Sequence, residues 1–443
     1  MILDTLLTWR HSSYLLAFLL VAQSILVLYG LNSTPPAFRS KSGIQHQIHG
    51  LDHESVLDSA TSSELSLPHE LPDTLSTTQC DSEFPNLYYE VDRAASYWKE
   101  RKHIISKDDV DISWQPTEWY SGGAIRVLIH DNRLRILESI NSLRLSGYQE
   151  RSLGILNLLH RALESATAGG EKLPTIEAAI VLQDLSWPPT QNGTETFWTW
   201  TRELGNSTYD RLWLIPNFDF WAAKGLGSYR DARLEAFARD KVEKIPKVIW
   251  RGNPVNENIN EKLRSRLLNM TEGKQWADVH YYNVSTGENS MPIRDMCNYT
   301  MTVHTEGYTY SGRLKFLLNC NSLPFVHELN YTSQYYHLLE RQGPNQNYVA
   351  VARNWSDLEE KVLYYQDHPN EAQNIIANHM ATFRDKYLTR AATSCYLRRL
   401  IRAYSEVSFT PEVRAPKGVG STDLRGRPFE VYMNSPEDFL EPK

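Results

Sequence analysis

Residues 301–320 read MTVHTEGYTYSGRLKFLLNC, and this stretch decides the fold. Its start (Met301, Thr302, Val303) is apolar and β-branched, as a buried strand requires. A polar turn with Gly307 and Gly312 follows, and then a helix-like run carrying Leu314, Phe316, Leu317 and Leu318. Strand, glycine loop and helix in that order bring backbone N–H groups and a helix N-terminus to a sheet edge, where anions bind. Arg313, on the first turn of that helix, has the planar fork that grips two phosphate oxygens at once. The pattern therefore predicts a diphosphate site, although most strand–glycine–helix turns are plain loops.

Working outward, the same alternation recurs on both sides. Strands are expected at 125–129, 177–182, 212–215, 247–250, 323–326 and 348–351. Helices are expected at 96–103, 133–168 (broken near Gly147), 261–268, 370–383 and 389–407. A capping box, Ser356 with Glu359, is expected to open the helix holding Leu358, Val362 and Leu363. Strands alternating with helices imply parallel sheets in an α/β protein, two of them at 443 residues. A composition of 41% apolar and 22% charged residues is that of an ordinary globular chain. The net charge of −7 gives no reason to expect a nucleic-acid partner, so any basic site must be a local pocket.

The amino terminus differs from the rest. Residues 14–31 (YLLAFLLVAQSILVLYGL) carry no charge and are long enough to span a bilayer. The reading is an uncleaved signal anchor after a short tail at 1–13, with a cleavable signal peptide as the rival. Residues 32–79, rich in Ser, Thr, Pro, His and acids, read as a flexible stem. Residues 408–443, rich in Pro and Gly, read as an irregular tail. Eight Asn-x-Ser/Thr triplets, at Asn32, Asn192, Asn206, Asn269, Asn283, Asn298, Asn330 and Asn354, suit a lumenal glycoprotein. The four cysteines all follow the span, as an oxidising lumen permits. Spacing favours Cys297 with Cys320 and Cys80 with Cys395, with buried free thiols as the alternative.

The segments LWLIPNFDFW (212–221), KVIWRG (247–252), HTEGYTYSGRLKFLLNC (304–320), NYVAVARNWSDLEEKV (347–362) and FRDKYLTRAATSCYLRRLI (383–401) together resemble the CAP10-type glycosyltransferases. That family includes Rumi-like protein O-glucosyltransferases and fungal xylosyltransferases. The resemblance implies a GT-B arrangement, with a central cleft between two Rossmann-like domains placed here at 80–240 and 241–407. It also implies a UDP-sugar donor (UDP-glucose or UDP-xylose), inversion at the anomeric carbon, a glycan or glycoprotein acceptor, and no obligatory metal or other cofactor. Ser311, Gly312 and Arg313 fall on the family's diphosphate-binding turn, with Gly307 and Tyr310 beside it. Arg251 and Gly252 fall on its Arg–Gly phosphate motif. Asp184, in VLQDLSWPP, falls on its catalytic aspartate. The segment after Gly252 lacks the Ser/Thr-rich turn of relatives, which leaves Arg264 and Arg266 open as the second basic residue.

The chemistry asked of these residues is specific. Inverting transfer needs a base for the acceptor hydroxyl, the role given to Asp184, and positive charge for the departing diphosphate. The one Asp-x-Asp spacing, Asp109 and Asp111, reads as a solvated turn rather than a metal site. His304 and Glu306 are candidates for ribose or sugar contact, against a structural role. Trp187, Trp213, Phe218, Phe220 and Trp221 are either an acceptor platform or core. The expectation is a type II membrane enzyme of the Golgi or ER, with a catalytically silent lumenal carbohydrate-binding relative as the alternative.

Overall fold

The computed structural model describes residues 70–434 apart from 116–121, 143–145, 185–192, 225, 255–259, 284 and 415–423. The expected anchor at 14–31 lies outside them, as do residues 32–69 of the stem and Trp187. Among the described residues no helix is long and apolar enough to cross a membrane. Residues 70–79, expected in the stem, belong to the folded body. Leu75 is buried, Asp73 pairs with Arg390, and Glu70 pairs with Arg233.

The strand expected at 125–129 spans Ala124–His130 and is buried along nearly its whole length. It lies inside a six-stranded sheet ordered Arg427–Pro428, Arg133–Ile140, Ala124–His130, Ile176–Val181, Trp198–Thr199 and Trp213–Leu214. The first four strands pair antiparallel and the remaining pairings are parallel, so this sheet is mixed rather than parallel throughout. The cause is a two-residue hairpin. His130 pairs with Arg133, and Asp131 and Asn132 between them have φ of 51° and 55°. Asp and Asn tolerate that left-handed region and turn the chain straight back on itself. Residues 133–140 are therefore a strand where a helix was expected, and the helix occupies Ser146–Ala168.

The second sheet is wholly parallel, ordered Ala277–Tyr281, Ile245–Gly252, Tyr299–His304, Leu323–His327 and Val349–Val351. Val248, Trp250, Met301, Val303 and Phe325 meet Leu263, Leu267, Leu358, Val362 and Ile375 from the covering helices in one apolar core. A larger core runs from Leu75 to Tyr432 and contains most of the helix Arg390–Ser405. That helix returns from the second sheet's side of the sequence to pack on Ser146–Ala168, and Cys395 bonds Cys80. The second expected disulfide, Cys297–Cys320, is also formed.

Two local expectations differ. The helix Leu358–Asp367 has Asp357 as its N-cap residue with no side-chain cap bond. Asp357 instead accepts from the Ala352 N–H and pairs with Lys361, so the Ser356 capping box does not form. The tail is not irregular throughout, since Arg427–Pro428 joins the first sheet and Phe429–Asn434 is helical. Arg425 pairs with buried Glu177, and Arg135 donates to the carbonyls of Leu424, Arg425 and Gly426, which fixes the return strand.

Candidate active site

Parallel strands place their loops at one edge of the sheet, and ligands of open α/β sheets bind at the carboxyl ends. The strand Tyr299–His304 ends there and runs into the loop 305–313. The helix that follows is a single turn, Leu314–Leu317. So short a helix has little macrodipole, and the expected anion-binding helix mouth shrinks to the side chains beside it.

Arg313 is the foremost of these. Its guanidinium lies 5.7 Å from the Trp250 ring centroid. Burial, and then the neighbouring charge of Arg264, pull its pKa down to about 9, which still leaves it cationic at neutral pH. Among the described residues no carboxylate acts on it, so a half-buried cation stands here without acidic compensation. Arg264 donates to the carbonyls of Glu306 (3.0 Å) and Asn253 (2.8 Å), and a Cβ on Gly307 would lie 3.1 Å from its Nη2. Two adjoining guanidiniums repel unless an anion lies against them. Of the two residues left open by the sequence, Arg264 stands beside Arg313 and Arg266 is exposed.

Arg251 does not join them, which corrects the expected pairing with Arg313. Successive residues of a strand face opposite ways, so Trp250, against Arg313, turns Arg251 to the other face. There it pairs with Asp278 Oδ1 at 2.7 Å and donates to the Asp278 carbonyl at 2.6 Å. Against the desolvation of burial, hydrogen bonds from Tyr299 and Arg251 hold the Asp278 carboxyl below its ordinary pKa. Gly252 serves packing, because any Cβ there would overlap the Trp250 indole.

The loop 305–313 is docked on elements of the first sheet. The Thr309 hydroxyl donates to the Asp184 carbonyl at 2.9 Å, which brings Asp184 to this loop. Asp184 lies just past Ile176–Val181, its side chain about one-third exposed. Its carboxylate accepts from Arg151 at 3.1 Å. Arg151 also donates to the Leu182 carbonyl at 2.7 Å, and its guanidinium lies 5.7 Å and 5.6 Å from the ring centroids of Tyr148 and Phe218. The carboxylate is therefore held in one place by a cation that is itself fixed.

Tyr310 is buried, and its hydroxyl accepts from the Asn217 amide at 3.2 Å. Burial drives its pKa well above 10. It forms a fixed wall of the loop. The Ser311 carbonyl faces the Tyr336 hydroxyl at 3.4 Å. Gly312 is required by close approach, since a Cβ would sit 2.5 Å from an Asp219 carboxylate oxygen. Asp219 bonds Lys315, which also donates to the Gly312 carbonyl at 2.9 Å. Burial lowers the Lys315 pKa to about 8 and raises that of Asp219. This buried pair fastens the loop to the turn Phe218–Phe220. Asp219, Lys315 and Arg151 are functional neighbours that sequence reading missed. The signal was present in PNFDFW, where a carboxylate interrupts an aromatic run destined for burial.

The remaining candidates divide. Glu306 is structural, its carboxylate accepting from the N–H groups of Asn330 and Tyr331 and pairing with Arg353 at 2.8 Å. His304 is buried beside His327, and burial followed by His327, Arg313 and Arg264 keeps its pKa well below 6.5. Trp213 and Phe220 are core, whereas Trp221 is 37% exposed. Asp109 is buried rather than solvated, and accepts from Ser106 and His103.

Residues 205–422 match the family model described as glycosyl transferase family 90. The chain is 31% identical over 121 residues to protein O-glucosyltransferase 2 of Danio rerio, covering 27% of this chain and 23% of that protein. It is 31% identical over 125 residues to protein O-glucosyltransferase 3 of Homo sapiens, covering 28% and 24%. It is 29% identical over 141 residues to protein O-glucosyltransferase 3 of Rattus norvegicus, covering 30% and 27%. The matched stretches span about a quarter of those relatives. The residues that match glycosyl transferase family 90, 205–422, hold Arg264, the loop 305–313 and Lys315.

Proposed function

We propose that this chain is an inverting glycosyltransferase that moves glucose or xylose from a UDP-sugar onto a hydroxyl of a glycan or glycoprotein in the secretory pathway. The observation that carries the reading is Arg313, a half-buried cation with no acid of the described residues acting on it and Arg264 beside it, at the carboxyl edge of a parallel sheet. In the reaction, the Asp184 carboxylate takes the proton of the acceptor hydroxyl. The oxygen attacks the anomeric carbon from the side opposite the diphosphate, and the bond from that carbon to the phosphate oxygen breaks with its electron pair leaving on UDP. Arg313 and Arg264 stabilise the charge that develops on the departing diphosphate, the role a metal ion serves in other transferases. Arg151 acts on Asp184 alone and positions it.

The two sheets are read as the halves of a GT-B arrangement, and residues 14–31 as the anchor of a type II protein of the Golgi or ER. The names of the similar proteins support glucosyl transfer, and fragment-length matches near 30% identity leave the donor sugar to pocket shape. A screen of the chain against UDP-sugars for thermal stabilisation, followed by turnover assays on those that bind, tests the reading. Stabilisation by UDP with transfer or slow hydrolysis of one sugar nucleotide is the expected result. A chain that neither binds UDP nor consumes any UDP-sugar would sink the proposal. Binding without turnover would leave the silent carbohydrate-binding relative.

A further inference from the structure

The strand Leu323–His327 runs parallel to Tyr299–His304, with Val326 paired to His304, so His327 stands level with the start of the loop 305–313. His327 is buried, and its neighbours fix its ring protons. Nδ1 lies 2.6 Å from the Glu328 carbonyl, which can only accept, so Nδ1 carries the hydrogen. Nε2 then presents a lone pair, and the Glu306 N–H donates to it at 2.9 Å. Burial disfavours the charged ring, which would have no lone pair to offer. A strand end facing a core asks only for an apolar residue, whereas this imidazole ties the amide of Glu306 to the carbonyl of Glu328.

Glu306 is tied on its other sides as well. Its carboxylate accepts from the Asn330 and Tyr331 N–H groups and pairs with Arg353 at 2.8 Å. Its carbonyl shares a peptide plane with the Gly307 N–H, which donates to the Thr309 carbonyl at 3.0 Å. That carbonyl, so aimed, accepts from Arg264 Nε at 3.0 Å, and the Asn253 carbonyl takes Nη1 of the same guanidinium at 2.8 Å. A chain of bonds therefore runs from His327 through Glu306 to the cation beside Arg313. We propose that His327 is a positioning residue for donor binding: through Glu306 it holds the Arg264 guanidinium at the diphosphate, so that two cations rather than one meet the leaving group. The inference rests on the reading of Arg313 and Arg264 as the diphosphate site.

UDP affinities measured by calorimetry at one ionic strength on the wild-type chain, His327→Phe, Arg264→Gln and the double variant form a cycle that isolates this link. Phenylalanine keeps a ring against His304 and Trp355 but cannot accept from Glu306. The expected result is a loss of roughly three- to tenfold in His327→Phe, and no further loss when Arg264 is already replaced. His327→Gln, whose amide oxygen can accept from the same N–H, should recover affinity to within about twofold. A histidine that only packs would lower affinity equally in both backgrounds. Equal losses there, or wild-type affinity in His327→Phe, would overturn the inference. Should that variant not fold, Arg264→Lys keeps the charge and removes the Nε–H that Glu306 holds, and unchanged UDP affinity in it would overturn the link as well. A wild-type chain that binds no UDP would instead fail the diphosphate reading, and the inference with it.

Discussion

Arg251 and Arg313 each stand beside a glycine at the end of a sequence pattern typical of phosphate binding, and their fates are opposite. One position along a strand reverses the direction of a side chain, so Trp250 and Arg251 serve different faces. The sequence shows the alternation but not which face meets the ligand, so it pairs Arg251 with Arg313 and does not choose between Arg264 and Arg266. The consequence is measurable. Arg251→Met should cost about 3 kcal/mol of stability by stranding Asp278, while UDP affinity, read by calorimetry, stays within about twofold. Asp184→Asn should behave in the opposite way. It should lower kcat by roughly 10²- to 10⁴-fold with UDP affinity kept, as loss of a general base does. Unchanged turnover in that variant would remove Asp184 from the reaction.

Elements were legible where the pattern was long and punctuated conventionally. The buried strands Ala124–His130, Ile176–Val181 and Leu323–His327 announce themselves by short runs of mainly apolar residues. The strand Arg133–Ile140 does not, because its leucines and isoleucines also satisfy a helical spacing and the deciding feature is the Asp131–Asn132 turn before it. The return strand Arg427–Pro428 was hidden for a different reason: two residues give no period, and its place is set by distant partners such as Glu177 and Arg135. Gly426 tests that contact. It has φ of +73°, and an added Cβ would sit 2.7 Å from the Ile136 carbonyl oxygen. Gly426→Ala should therefore destabilise by about 1–2 kcal/mol in urea unfolding, whereas a neutral effect would mean the tail does not hold the sheet.

For the whole molecule, the sequence carried the α/β class, both disulfides and the resemblance that the family match bears out over residues 205–422. It could not show how the loop 305–313 docks on Asp184, Asn217 and Asp219, because those contacts join residues far apart in the chain. Buried bases give the molecule a characteristic pH response. Burial lowers His327 from 6.5 to about 3 and His379 to about 4. Both are neutral when folded and take up a proton near pH 6.5 once unfolded. Stability is thus full above pH 6.5 and falls as the pH drops towards the folded values, by up to about 1.4 kcal/mol per unit for each histidine. These two histidines alone should lower the unfolding free energy by roughly 3–4 kcal/mol between pH 7 and pH 5, and His379→Gln should remove about 2 kcal/mol of the measured difference.

Binding of UDP to the wild-type chain and to Arg313→Gln, compared by calorimetry at one ionic strength, bears most directly on the diphosphate site. Removing the half-buried guanidinium should weaken UDP by at least about tenfold while the melting temperature holds or rises, since a cation without an acidic partner among the described residues is lost. Equal affinity in the two proteins would contradict the site, whatever activity the chain displays.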